Sequence, residues 1–204
     1  MKITAIKQQL KNPGRASVFV DGKYAFSLNL DQLLEARLKI GQQLEDSRLA
    51  DLKKRSAEGK LKMRALNWLM LRPHSEHELR QYLRRKKADQ RLINDWAEDF
   101  KAKNYLNDED FARWWVETRR LSKLASSRKL IFELRRKGIN SEIIKTVIGD
   151  SNDDEHSALL ALVNKKRQLA RYRTDERKLT EYLLRQGFSY GAVKAALKEN
   201  LIDD

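Results

Sequence analysis

Three stretches of similar sequence decide the fold: residues 79–87 read LRQYLRRKK, residues 130–138 read LIFELRRKG, and residues 179–187 read LTEYLLRQG. Each begins with a leucine and places a second leucine four residues later. Residues at positions i and i+4 lie on the same face of an α-helix, so each stretch predicts an amphipathic helix with a buried leucine pair. The offsets of 51 and 49 residues between the copies indicate a tandem repeat.

Apolar residues at helical spacing precede and follow each stretch, which predicts three tandem three-helix units in an elongated, curved body. The opening helices are predicted within residues 64–71, 110–119 and 155–169. The closing helices are predicted around residues 92–96, 143–147 and 192–197. The repeated stretches then form the middle helices of the three units.

Polar residues and glycines mark the ends of the middle helices. Ser75, then Ser126 or Ser127, and finally Thr174 or Asp175 are the predicted N-caps. Gly138 and Gly187 stand where a helix turns back through a left-handed residue. Lys87 occupies this position in the first unit, which predicts a different turn there.

Residues 2–28 are richer in strand-forming residues than the remainder of the chain. Asp21-Gly22 lies between the β-rich runs 17–20 and 23–27, which is a strong signal for a type I′ hairpin. Asn12-Pro13-Gly14 is predicted to be a turn, and a short helix is predicted to follow the hairpin. The expected fold is therefore mainly α, with three tandem three-helix units after a small N-terminal β-hairpin plus helix region.

The predicted domain boundaries follow the punctuation between these segments. Ser56-Ala57-Glu58-Gly59 is interpreted as a linker because it combines small and polar residues. The predicted domains are an N-terminal extension at residues 1–59 and three-helix repeats at residues 60–107, 108–150 and 151–204.

The composition is that of a basic globular protein: 43 Lys and Arg against 29 Asp and Glu give a net charge of +14. Residues 1–60 hold 12 basic and 7 acidic residues, whereas residues 151–204 hold 10 and 9. This excess favours a polyanionic partner. The sequence has no cysteine, no signal-peptide pattern and no apolar run of membrane-spanning length, so we expect a cytoplasmic protein without a membrane partner.

The sequence lacks the usual marks of catalysis or of cofactor binding. No phosphate-binding glycine motif occurs, and no nucleophile and base can be nominated from their spacing. His74 and His77 are interpreted as exposed histidines near a helix start rather than as metal ligands, because no third ligand is indicated. Glu155 replaces the turn glycine in a calcium-loop-like run at residues 150–161. We therefore expect no enzyme activity, no metal and no cofactor.

Basic residues supply the positive signal for function. One interpretation is that they only solvate the outer helix faces and stabilise helix C-termini. Their clustering in the first two repeats instead favours a shared anion-facing surface on the middle helices and on the opening helix of the second repeat. The candidate partner- or DNA-binding residues are Arg80, Arg84, Arg85, Arg113, Arg119, Arg120, Arg128, Arg135, Arg136 and Lys137.

Four motifs occur in order along the chain: RPHSEHEL at residues 72–79, NYLNDEDFAR at 104–113, LRRKGI at 134–139 and RQGFSY at 185–190. Together they resemble the RecX family, the regulators of the RecA recombinase. The N-terminal hairpin is also similar to the extension of longer family members. Asn104 stands where the family usually has glycine, and residues 123–127 lack a glycine that is often found before the second middle helix.

The resemblance implies a non-enzymatic modulator of DNA repair, recombination and the SOS response. Such a protein binds RecA, and above all the RecA filament on single-stranded DNA. It usually restrains strand exchange, ATP hydrolysis and co-protease activity. The resemblance also implies weak, nonspecific binding to single- or double-stranded DNA by a monomer.

The competing interpretation is a DNA-binding protein that acts alone. Residues 130–137 followed by 141–148 resemble a helix-turn-helix with a short glycine turn. A net charge of +14 suits this class equally well. Binding in the absence of RecA separates the two, because a true DNA reader shows sequence preference.

Overall fold

The computed structural model describes residues 1–150 and 152–199. Within the described residues the chain is mainly helical, with an antiparallel sheet at its N-terminus. It divides into two compact units, Met1–Trp68 and Leu69–Asp204. The first unit contains the sheet, and the second contains the repeated stretches.

The sheet has three strands rather than the two of a simple hairpin. Strands β1 (Ile3–Gln9), β2 (Asn12–Val20) and β3 (Lys23–Asn29) pair in the order β1-β2-β3. Asp21 and Gly22 both have positive φ, at 48° and 79°, which confirms the predicted type I′ turn.

The turn predicted at Asn12-Pro13-Gly14 is wrong, because β2 already begins at Asn12. The chain reverses at residues 10–11 instead, because Gln9 at the end of β1 lies opposite Asn12 at the start of β2. The register between β1 and β2 shifts beside that pair, so Pro13 falls in an irregularity of the ladder. A proline that donates no ladder hydrogen bond is tolerated there.

The predicted linker at Ser56–Gly59 is also wrong, because these residues lie inside helix α2 (Asp46–Leu69). Ser56 is buried, and its Oγ accepts a hydrogen bond of 3.2 Å from the Ser27 amide of β3. The small residues therefore allow α2 to pack closely within the first unit. Before it, α1 (Leu30–Ala36) is capped by Asn29 through a reciprocal capping box with Gln32.

The helices of the second unit recur in the order that the sequence repeat predicts. In the first repeat these are α3 (Glu76–Arg85) and α4 (Gln90–Ala102). The second repeat has α5 (Asp108–Lys123), α6 (Ser127–Arg136) and α7 (Ser141–Gly149). The third has α8 (Asn152–Arg167), the short α9 (Ala170–Arg173), α10 (Glu176–Arg185) and α11 (Tyr190–Glu199). The middle helices are therefore α3, α6 and α10.

The leucine pairs of the middle helices are buried, as the repeat predicted. Their members are Leu79, Leu83, Leu130, Leu134, Leu179 and Leu183, and each is at most 1% exposed. Leu130 and Leu134 belong to a core with Phe111 and Val147 of the second repeat. The third repeat has its own core. Each of these repeats thus buries its own apolar stripe.

The first middle helix ends by the same turn as the other two, so the prediction of a different turn is wrong. Lys87 has a φ of 58°, in the same left-handed region as Gly138 at 77° and Gly187 at 96°. In each case the following residue donates to a carbonyl near the helix end, as Ala88 does to Leu83 at 3.1 Å. The turn itself therefore accepts a side chain.

Candidate interaction surface on the helical repeats

The middle helices are joined end to end by two serine side chains. Ser75 Oγ accepts from the Glu78 amide, as an N-cap does, and donates to the Lys137 carbonyl at 2.9 Å. Ser126 Oγ likewise caps α6 and donates to the Gln186 carbonyl at 2.7 Å. The C-terminus of α6 therefore abuts the N-terminus of α3. In the same way, the C-terminus of α10 abuts the N-terminus of α6.

The glycines at these joints are required by the close approach of two helices. A Cβ atom on Gly138 would lie 2.7 Å from Cβ of His77, and one on Gly187 would lie 2.7 Å from Oγ of Ser126. Both distances are below van der Waals contact. Lys87 makes the same turn and carries a side chain. At Gly138 and Gly187, therefore, the neighbouring helix excludes a side chain, and the turn does not.

An acidic residue from the opening helix completes each joint. Asp108 accepts a hydrogen bond of 2.8 Å from the Glu76 amide at the start of α3, and burial raises the pKa of this carboxyl group. Glu155 accepts one of 2.7 Å from the Ser127 amide at the start of α6. Negative groups are favourable at these helix N-termini. We call the two sites junction one (Ser75, Asp108, Lys137, Gly138) and junction two (Ser126, Glu155, Gln186, Gly187).

Junction one also contains a buried ionic cluster centred on Glu78, whose side chain is 10% exposed. Its carboxylate lies 2.6 Å from Lys137 Nζ, 3.0 Å from an Arg72 nitrogen and 2.9 Å from His74 Nδ1. Burial alone raises the pKa of Glu78, but hydrogen bonds from His74 and Lys137 and the charge of Arg72 outweigh it and lower the pKa to about 2. His74 is thus buried, contrary to the sequence-based expectation.

Beside this cluster, Trp115 forms an aromatic and cationic site. The Arg119 guanidinium lies 4.2 Å from the ring centroid, and Lys137 Nζ lies 4.8 Å from it. The indole Nε1 and Arg119 Nε each donate to the same Glu133 oxygen at 2.9 Å. A cleft of about 420 Å³ opens here, lined by His77, Glu78, Gln81, Trp115, Arg119, Glu133, Arg136 and Lys137.

Arg120, one of the predicted surface residues, is instead buried at junction two, with a 5% exposed side chain. Its guanidinium donates to the Ala125 carbonyl at 2.6 Å and to Ser127 Oγ at 2.8 Å. Burial lowers the pKa of this guanidinium, and the charge of Glu155 opposes that shift. Arg120 holds the turn between α5 and α6, so we leave it out of the candidate surface.

The remaining predicted cations fall into two groups. Arg80 pairs with Glu76 at 2.7 Å, and Arg113 pairs with Glu109 at 2.8 Å and with Asp150 at 3.0 Å. Together with Arg119 and Lys137, these residues are already compensated by carboxylates. Five others are exposed and form no ion pair with a described residue: Arg84, Arg85, Arg128, Arg135 and Arg136.

Sequence reasoning did not single out Phe132, which is exposed on α6 beside these cations. The available signal was its repeat position, where the other middle helices have Gln81 and Glu181. Trp114 and Trp115 of α5 are both half-buried.

No group of three or more potential metal ligands occurs within residues 1–150 and 152–199. In the same residues no helix is both long and apolar enough to cross a bilayer. His77 contacts Gln81 through its Nε2 at 2.8 Å. The features that characterise the candidate site are its cations, its aromatic rings and its two junctions.

Three family models match the chain. They describe the N-terminal domain of regulatory protein RecX at residues 1–45, the first three-helix domain of RecX at 62–95 and the second at 107–148. The regulatory protein RecX of Listeria welshimeri is 31% identical over 203 residues, covering 98% of this chain and 76% of that protein. The chain belongs to the RecX family.

Other RecX proteins agree with this assignment. The regulatory protein RecX of Bacillus subtilis is 30% identical over 202 residues, which cover 97% of this chain and 76% of that protein. A crystal structure of regulatory protein RecX superposes with a TM-score of 0.76, at 23% identity over 97% of this chain and 98% of that one. RecX from Lactobacillus salivarius gives 0.62 at 22% identity, over 70% and 95% of the two chains. The RecX fold is therefore shared along nearly the whole chain.

Proposed function

We propose that this RecX protein binds RecA and the RecA filament on single-stranded DNA, and that it restrains strand exchange, ATP hydrolysis and co-protease activity in DNA repair and the SOS response. We place this activity in the cytoplasm and assign it to a monomer that has no catalytic activity or cofactor of its own. Membership of the RecX family supports this role.

The single observation that carries the proposed surface is the end-to-end joining of the middle helices. Because α6 ends against α3, the uncompensated cations at the end of α6 (Arg135, Arg136) lie on the same row of helices as those at the end of α3 (Arg84, Arg85). Junction one fixes the two groups relative to each other. Cations held in fixed positions bind a polyanionic filament with a smaller loss of side-chain and chain entropy.

The test replaces Arg84, Arg85, Arg135 and Arg136 by Glu together. The expected result is weaker co-sedimentation with RecA filaments, weaker inhibition of strand exchange and a shallower dependence on salt, because fewer counterions are released. Exposed substitutions usually change the free energy of unfolding by only about 0.5 kcal/mol, so the helical signal and melting should persist.

A matched control reverses four exposed cations elsewhere: Lys145, Arg173, Lys194 and Lys198. It removes the same amount of charge, so an equal loss of binding would reflect net charge rather than the proposed surface. Full inhibition by the first variant, if well folded, would reject the surface. We would then look for it in the N-terminal sheet.

The stand-alone DNA-binding alternative has one structural point in its favour. Helices α6 and α7 follow each other across a short turn through Gly138, as in a helix-turn-helix. Binding to bare duplexes of different sequence distinguishes the two functions. A preference of a thousandfold or more for one sequence would support the DNA reader.

A further inference from the structure

The outer face of α6 carries an aromatic ring outside the hydrophobic core of its repeat. The side chain of Phe132 is 59% exposed and is not a member of that core. Gln81 and Glu181 occupy the same position in α3 and α10, so the repeat does not need an apolar residue there. A single exposed ring is ordinary on a protein surface, and its surroundings must decide whether it has a role.

Two arginines flank this ring on the same helical stripe. Arg128 precedes Phe132 by four residues and Arg136 follows it by four, so all three side chains share one face. The Arg136 guanidinium lies 5.8 Å from the ring centroid. Neither arginine forms an ion pair within the described part of the chain.

The third repeat lacks this combination. There Glu181 replaces the ring and holds the preceding Arg177 at 3.3 Å. The first repeat has Gln81 between His77 and Arg85. Among the three middle helices, α6 alone presents an exposed ring between two uncompensated cations, and we call these residues, Arg128, Phe132 and Arg136, the Phe132 face.

Open clefts lie at both ends of the Phe132 face. Arg128 borders a cleft of about 450 Å³ at junction two, and Arg136 borders the cleft of about 420 Å³ at junction one. A second ring, that of Trp115, lines the latter. The Phe132 face therefore lies between two open clefts.

We propose that the Phe132 face binds single-stranded nucleic acid, with one base stacked on the Phe132 ring and the adjoining phosphates held by Arg128 and Arg136. An unpaired base exposes a π-face, whereas bases within a duplex already stack on each other. A protein partner could also pack against the ring, but a nucleotide strand supplies a planar group and neighbouring anionic groups together, which matches the ring and the two arginines. The proposal deepens the proposed function, because it names the part of the filament that this face touches.

The test measures binding of the full chain to a fluorescent oligothymidylate without RecA, and to a duplex of equal length. Phe132→Leu removes the ring but keeps an apolar side chain, and it should weaken single-strand binding by about 5- to 100-fold. Phe132→Tyr keeps the ring and is the matched control, with affinity near that of the parent. Duplex binding should be nearly unchanged in both.

Salt titration separates the two parts of the site. Phe132→Leu removes no phosphate contact, so the slope of log affinity against log salt should stay the same. Arg128→Gln with Arg136→Gln should reduce that slope by about 1.4, because each lost phosphate contact on a single strand accounts for about 0.7.

Equal single-strand affinity for the parent and Phe132→Leu would overturn the proposal, as would a parent that binds no oligothymidylate. A Phe132→Leu variant that loses RecA filaments but keeps bare oligonucleotide would assign the face to a protein contact and would also overturn it. If the parent binds oligonucleotide through the ring but never sediments with RecA filaments, the proposed function fails while this inference stands.

Discussion

Junction one and junction two are built on the same backbone plan but differ in their charged side chains. In both, a serine hydroxyl donates to a carbonyl at the end of the other helix, and a glycine packs against the helix that the serine caps. In both, an acidic side chain also accepts from the first amide of that capped helix. At junction one, Lys137 also reaches across to the buried Glu78. Gln186 and Lys129 stand at the equivalent positions of junction two, and no such pair can form.

The comparison separates the contacts that both junctions share from those that only one of them has. The hydrogen bonds and the glycine fix two helices end to end and recur at both joints, because they satisfy backbone groups that every helix terminus leaves open. The ionic cluster occurs at junction one, so its energy adds to the joint without defining its geometry. Each junction can therefore serve as the control for the other.

The largest expected effect is that of a side chain on a junction glycine. Gly138→Ala combines a left-handed backbone with a Cβ that would lie 2.7 Å from Cβ of His77, so we expect a loss of about 2–5 kcal/mol in the free energy of unfolding. Gly187→Ala should lose a comparable amount, because Ser126 Oγ could make room for the new Cβ only by breaking its two hydrogen bonds at junction two. Urea unfolding measures both, and a change below about 0.5 kcal/mol at Gly138 would contradict the packing argument.

Acid should weaken the ionic cluster of junction one. The pKa of Glu78 is about 2 in the folded protein and about 4.5 in the unfolded chain, so its stabilisation is complete above pH 4.5 and is lost as the pH falls towards 2. The shift corresponds to about 3 kcal/mol. Thermal unfolding between pH 5 and pH 2.5 should show a smaller acid loss for Glu78→Gln than for the parent. An equal acid loss in Glu78→Gln and the parent would contradict the role of this carboxylate.

Removal of either bridging hydroxyl should have a smaller effect, of similar size at both junctions. Ser75→Ala and Ser126→Ala each lose an N-cap and a hydrogen bond to the neighbouring helix, and we expect about 1–2 kcal/mol from each. Hydrogen exchange should become faster at the amide that each serine caps, Glu78 for Ser75→Ala and Lys129 for Ser126→Ala. An effect confined to one of the two serines would show that the junctions do not share a mechanism.

The smallest effect should come from Lys87→Gly, the reverse of the first substitution. It relieves a left-handed lysine but adds backbone freedom to the unfolded chain, so the two contributions nearly cancel and the net change should be below about 1 kcal/mol. The same unfolding assay tests it beside Gly138→Ala. A loss above 2 kcal/mol would show that Lys87 makes a contact that the turn alone does not explain.

The sequence by itself determined part of the local structure. Leucine spacing predicted the buried faces of the middle helices, Asp21-Gly22 predicted the hairpin turn, and Ser75 was correctly predicted to be a cap. These features depend on residues three or four positions apart, or on the φ angle of one residue. The resemblance to RecX also followed from short motifs read in order.

The tertiary structure alone decided the joints and the state of each cation. Ser75 bonds to a carbonyl 62 residues away, and Ser126 to one 60 residues away. Arg120 is buried, whereas Arg136, the last residue of another helix of the same repeat, is exposed. Helical periodicity carries no information about which helix ends meet, because that depends on how whole repeats pack together. The same packing decides which arginines find a carboxylate and which remain available to a partner.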